Sequence, residues 1–174
     1  SRLKARPVLY MLSHMIIVPL VDLYTTACDW WPSTGGPPPG LNWFLAVSYC
    51  NGIVLELGRK IRAPEAEEQG VETYSFLWGC RNAVLAWLGA LGLTAGTAVM
   101  AARQIHFAQV VIVLLGILLA GCAGIAFLFL REPSTRRSKS IEALSGAWTL
   151  LMYLHLGVVP LVWRWWMSAG EVPS

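Results

Sequence analysis

Residues 51–79 read NGIVLELGRKIRAPEAEEQGVETYSFLWG, a charged loop held between two apolar runs. Glu56, Arg59, Lys60, Arg62, Glu65, Glu67, Glu68 and Glu72 crowd into seventeen residues of it. Outward from this loop the chain turns lipid-like. Its 174 residues are 56% hydrophobic and 13% charged, with mean hydropathy +0.55, whereas an average globular chain is about a quarter charged. A helix needs roughly 20 apolar residues to cross a bilayer core. Stretches of about that length lie near 8–27, 41–58, 76–100, 108–130 and 143–163. The sequence therefore predicts one all-α integral membrane domain over 1–174, with about five crossings.

Lys and Arg orient it. Arg2, Lys4 and Arg6 precede the first span, and Arg59, Lys60 and Arg62 follow the second. Arg131, Arg136, Arg137 and Lys139 separate the fourth from the fifth, and Arg81 stands near the start of the third. Five crossings put all of these on one side, leaving Arg103 and Arg164 on the other. The positive-inside rule then places the N-terminus and loop 59–75 in the cytoplasm, with the chain in the inner membrane. Net charge +3 is accounted for by topology and calls for no nucleic acid. Trp30, Trp31, Trp43, Trp163, Trp165 and Trp166 at outer span ends, with Trp78 and Trp148 near inner ends, read as interfacial belts. The four cysteines form no CxxC pair, so neither zinc nor a disulfide framework is indicated.

Several local expectations follow. CDWWPSTGGPPPG (28–40) reads as an irregular outer connector. Gly92 with Gly96, and Gly116, Ala120 and Gly124, have the four-residue spacing of helix packing seams. Thr73 or Ser75 is expected to cap the third span, and Ser140 the fifth, with Glu142 in its first turn. Asp22 belongs near the outer interface, where it is readily solvated. His14, Asn82 and His155 are expected to make hydrogen bonds between helices.

If the second span stays helical through Lys60, then Glu56, Arg59 and Lys60 stand at i, i+3 and i+4 on one face. Pro64 disfavours helix at Ala63, and Gly70 permits a second bend, folding Glu65, Glu67 and Glu68 back towards Glu56. Two readings stay open. These are solvated charges pairing on a loop, each pair worth at most about 1 kcal/mol. Alternatively the acids bind Mg²⁺, which prefers oxygen ligands and bridges phosphate oxygens, while Arg59, Lys60 and Arg62 clamp a diphosphate.

The segment resembles the second acidic motif of the UbiA-type intramembrane prenyltransferases. In that family an acid ends one helix, and a Gly-x-x-[Thr/Ser] element leads into the next with a Gly soon after. The matching residues here are Glu56, then Gly70, Val71, Glu72, Thr73, Tyr74, Ser75 and Gly79. The resemblance implies that these five spans correspond to the last five of a nine-helix bundle, as the C-terminal portion of a longer protein. It implies Mg²⁺ as cofactor, and a polyprenyl diphosphate and an acceptor as substrates. Glu56 would be the leading metal ligand, with Glu67 and Glu68 next. Arg59, Lys60, Arg62 and Arg81 would contact diphosphate, and Tyr49, Asn51 and Tyr74 would line the cavity and stabilise an allylic cation. Two departures stand out. The family places a second acid four residues after the first, where this chain has Lys60. Its other acidic motif, Asn-Asp-x-x-Asp-x-x-x-Asp, is missing from these 174 residues. The alternative expectation is a non-catalytic polytopic protein: a lipid-diphosphate binder, or a small transporter or assembly subunit.

Overall fold

The computed structural model describes residues 7–68 and 70–169; Arg2, Lys4 and Arg6 lie outside them. Among the described residues all regular structure is helical. The helices are α1 (Pro7–His14), α2 (Ile17–Thr34), α3 (Leu41–Arg59), α4 (Tyr74–Gln104), α5 (Ala108–Arg131), α6 (Thr135–Tyr153) and α7 (Val159–Ala169). A 3₁₀ turn at Pro64–Ala66 interrupts the charged loop, and a π-helical turn at Leu154–Val158 joins α6 to α7. Among the described residues four segments are long and apolar enough to cross a membrane: Pro7–Thr34, Tyr74–Gln104, Ala108–Arg131 and Thr135–Met167.

The remaining predicted span, α3, is the centre of the bundle. It packs against α1, α2, α4 and α6. Ser48, Asn51 and Glu56 are buried along it beside Val47, Val54 and Leu57. A helix surrounded by other helices tolerates polar side chains that one facing lipid does not. α3 accordingly does not count among the four segments that are long and apolar enough to cross a membrane by composition.

One layer locks this centre. Trp87 of α4 is fully buried and donates its indole N–H to Ser145 Oγ of α6 at 2.8 Å. The Ser145 hydroxyl in turn donates a hydrogen bond to the Ile141 carbonyl at 2.8 Å. Gly58 of α3 sits against the same serine: a Cβ there would lie 1.9 Å from Ser145 Oγ and 2.7 Å from its Cβ. The close approach of α3 and α6 therefore depends on Gly58. The glycines expected to make seams behave otherwise. A Cβ added at Gly92, Gly96, Gly116 or Gly124 would meet nothing within 4 Å. Around them, Leu91, Thr94, Ala98 and Ala102 are among the buried positions of α4 instead, so spacing identified small residues but not the face they occupy.

Three further expectations are corrected. The 28–40 connector is helical through Thr34, where Gly35 (φ 70°) closes α2 with its N–H on the Trp30 carbonyl. The extra turns put Asp22 in mid-helix rather than near the outer end. Ser140 does not cap α6: that helix starts earlier, at Thr135, and Ser140 donates to the Arg136 carbonyl. Finally, Asn82 donates to the Trp78 carbonyl and His155 Nδ1 lies 2.6 Å from the Leu151 carbonyl, each within its own helix, while His14 stacks on Tyr10 one turn away. A short polar side chain such as Asn finds a backbone carbonyl one turn back within its own reach, so it needs no partner on a neighbouring helix.

Candidate functional site

The site grows from the end of α3. Glu56 is 9% exposed, and among the described residues it is the only charged side chain that is buried. Arg59 Nη2 lies 2.7 Å from its Oε2, and Lys60 Nζ 2.8 Å from its Oε1. The helical spacing read from sequence thus delivers a three-charge cluster in which each carboxylate oxygen meets its own cation. The cations are wetter: the Arg59 side chain is 65% exposed and that of Lys60 33%. Both retain donors for a further anion. Lys60 Nζ also stands 5.5 Å from the centre of the Tyr74 ring, a cation–π distance.

Tyr74 reaches that position because the backbone turns twice. Its N–H donates to the Lys60 carbonyl at 3.0 Å, which stitches the start of α4 to the end of α3. Thr73 caps α4 as expected, accepting the Phe76 N–H at 3.1 Å. Gly79 then adopts φ 79°, ψ 154° inside α4. Only glycine enters that region readily, so the Gly that closes the family-like motif is the hinge folding Tyr74–Trp78 over the charged cluster. Tyr74 stacks on Trp78 with ring centres 4.6 Å apart.

The other loop acids do not fold back onto Glu56. Glu67 accepts from Thr73 Oγ1 at 2.6 and 2.7 Å and from Ser75 Oγ at 2.8 Å. Ser75 Oγ in turn accepts the Arg62 N–H at 2.8 Å. Glu67 is thereby the internal brace of the loop. Glu68 pairs with Arg62 at 3.1 Å in solvent. Glu65 reaches α6, accepting the Thr135 N–H at 2.9 Å and its hydroxyl at 2.8 Å. These contacts satisfy each carboxylate locally, without the electrostatic repulsion of gathering several beside Glu56.

The bonds from Thr135 hold the Glu65 carboxyl below its usual value of 4.5, the backbone N–H contributing most. A depressed carboxyl stabilises the folded state above its unfolded pKa, and the contribution fades as pH falls through the folded value. Hydrogen exchange of the Thr135 amide is therefore expected to quicken as pH falls below 4.5, beyond its intrinsic pH dependence. Glu65→Gln should abolish that extra dependence. An identical pH profile in the variant would show that Glu65 does not control the start of α6.

Beside the cluster runs a cleft of about 670 Å³ between α1–α2, α3 and α6. Glu56, Arg59, Lys60, Tyr10, His14 and Glu142 give it a polar end, while Met15, Val18, Leu55, Gly52 and Gly146 give apolar or small walls. Sequence reasoning missed Glu142, His14 and Tyr10 here. The signal available was the i, i+4 spacing of Glu142 and Gly146, which turns one face of α6 towards α3.

The remaining predicted residues lie elsewhere. Arg62 and the exposed Arg81 do not line this cleft. Tyr49 donates its hydroxyl to the Leu12 carbonyl at 3.0 Å, tying α3 to α1. Asn51 is buried deeper in α3, with neither amide atom hydrogen-bonded. Tyr74 lines a smaller cavity of about 190 Å³ with Lys60, Glu72, Tyr10, Pro7 and Leu77.

As arranged, these side chains do not fit a Mg²⁺ centre. Mg²⁺ takes six oxygen ligands at about 2.1 Å. Here both Glu56 oxygens face cations, Glu67 is saturated by hydroxyls, and among the described residues no three Asp, Glu, His or Cys side chains converge. What the cluster offers is directional positive charge steadied by a buried carboxylate, at the mouth of an apolar-walled cleft. No family model matches this sequence, and no curated protein and no solved structure matches it.

Proposed function

We propose that α3 is a fifth membrane crossing and that the loop end of the bundle, on the cytoplasmic side, is the prenyl-diphosphate half-site of a UbiA-like prenyltransferase. The reaction would move a polyprenyl group from its diphosphate to an acceptor. One observation carries this reading: Glu56, Arg59 and Lys60 line the polar end of a cleft whose walls are apolar. An amphiphile with an anionic head fits such a cleft, head at the cations and tail along Met15, Val18 and Leu55.

Each residue then has a definite task. Arg59 and Lys60 meet the diphosphate oxygens, and their charge stabilises that group as it departs with the electrons of the allylic C–O bond. Glu56 holds both cations at the cleft and keeps their positive charge from being fully uncompensated in a partly desolvated site. Gly58 and Gly79 fix the backbone that presents them. The resemblance adds Mg²⁺, whose cage would need acids besides Glu56.

A second reading has its own support. With both Glu56 oxygens held by cations, an anionic lipid head can be bound by Arg59 and Lys60 alone, as in a non-catalytic lipid-diphosphate binder. Geranylgeranyl diphosphate titrated into the protein in nanodiscs, with pyrophosphate release followed in Mg²⁺ and in EDTA, separates the two. Release that requires Mg²⁺ and falls in Glu56→Gln supports the transferase. Binding without release, unchanged by EDTA, supports the binder. Absence of binding under either condition rules out the site itself.

A further inference from the structure

A second polar cluster lies far from the charged loop. The carboxylate of Asp22 on α2 takes hydrogen bonds at Oδ2 from Ser48 of α3 and from the Tyr153 hydroxyl of α6, the latter at 3.0 Å. The two hydroxyl oxygens are 3.2 Å apart. Each residue stands near the middle of its own long helical segment, Pro7–Thr34, Leu41–Arg59 or Thr135–Met167. Along α3, Ser48 is eight residues from Glu56, about 12 Å at 1.5 Å per residue.

Among the described residues no cationic side chain pairs with this carboxylate. The described ion pairs involve Arg59, Lys60, Arg62 and Arg137, none of them with Asp22. An ionisable group at such depth marks an ion or substrate pathway more often than a packing contact. Around it the donors are all oxygen: one carboxylate and two hydroxyls from three helices. The adjoining turn adds unused capacity. Asn51, three residues after Ser48, is 1% exposed, with both amide atoms lacking a hydrogen bond. Thr149, four residues before Tyr153, has a buried hydroxyl with no partner. Helical spacing puts both in the turn of their helices next to the cluster, on its Glu56 side.

We propose that Asp22, Ser48 and Tyr153 form an intramembrane binding site for a hard monovalent cation of the sodium type. Oxygen ligands select a hard ion over a soft one. A single carboxylate balances a single positive charge, so a divalent ion would remain uncompensated in lipid. The amide oxygen of Asn51 and the Thr149 hydroxyl are the nearest reserves for completing the shell or for passing the ion towards the cleft. Binding would draw α2, α3 and α6 together, because each supplies a ligand. The site does not depend on the prenyl-diphosphate reading, since no residue is shared with the Glu56 cluster.

The test is thermal unfolding of the chain in nanodiscs, followed by tryptophan fluorescence while NaCl replaces choline chloride at constant ionic strength. A saturable rise in Tm with sodium is expected, absent in Asp22→Asn and moved to several-fold higher sodium in Tyr153→Phe. If Asp22→Asn does not fold, Ser48→Ala, which keeps the carboxylate, is expected to need several-fold more sodium for the same shift. Equal Tm in sodium and choline overturns the proposal, as does a sodium response that survives in Asp22→Asn. Stabilisation by acid with no sodium response at any pH also overturns it, since a proton then neutralises the carboxylate.

Discussion

Trp87→Ala is expected to lower the stability of the bundle by about 3–5 kcal/mol, the range for removing a large buried aromatic. Trp87 is fully buried where α3, α4 and α6 meet, and its indole N–H donates a hydrogen bond to Ser145 Oγ. In lipid the hydrophobic drive between helices is weak, so packing contacts and interhelical hydrogen bonds carry association. Trp87→Ala removes both. Trp87→Phe keeps most of the volume and loses the hydrogen bond, for which about 1 kcal/mol is the ordinary scale. Denaturant unfolding in mixed micelles measures the two variants side by side. A cost below about 1 kcal/mol for the alanine variant would show that the layer collapses around the gap.

Lys60→Glu should be the most damaging change to anionic-lipid binding. Lys60 supplies one of two cations at the cleft mouth and pairs with Glu56 at 2.8 Å. In the proposed site, inverting its charge would remove a contact to the diphosphate and set a second carboxylate beside the first. A partly desolvated charge contact, with the added repulsion between the two carboxylates, is worth about 3 kcal/mol, roughly a hundredfold in affinity. Lys60→Met keeps the stem and is expected to lose less, because it adds no repulsion. Titration of geranylgeranyl diphosphate into nanodiscs reads the difference. If the glutamate variant binds within about threefold of the parent, far below that hundredfold, Lys60 does not touch the head group.

What could be read from the sequence was whatever depends on spacing within one helix. Glu56, Arg59 and Lys60 fall on one face because i, i+3 and i+4 always do, and the structure places both cations on that carboxylate. The cap at Thr73 and the bend at Gly70 (φ 84°) were equally local. Contacts between elements were not legible. Glu65 bonds Thr135, seventy residues on, and its spacing from Glu56 suggested a nearer partner. Asp22 was misplaced because Pro and Gly in 28–40 looked like loop, whereas α2 continues past Pro32. The partners of Asp22 sit 26 and 131 residues away, and nothing in the local pattern of Ser48 or Tyr153 pointed to them. Among the seam glycines, the period was visible but its phase was not.

The π-helical turn at Leu154–Val158 also bears on how the end of the chain is aimed. Pro160 has no N–H to give the Leu156 carbonyl, and the wider winding just before it relaxes that mismatch. A five-residue π turn holds one residue more than an α-helix would use over the same rise, so it acts as an internal insertion. Each residue of an α-helix advances about 100° around the axis. Removing one residue between 154 and 158 would let the turn close into plain α-helix with Tyr153 still on Asp22 and the downstream azimuth nearly kept, whereas removing one from α7 ahead of Trp163 would rotate everything beyond it by about that angle. The exposed indoles of Trp163, Trp165 and Trp166 would swing round, and Arg164 would leave the Ile105 carbonyl it now reaches at 3.4 Å. The π turn thus takes up one extra residue while both the polar contact before it and the aim of the aromatic terminus after it are kept.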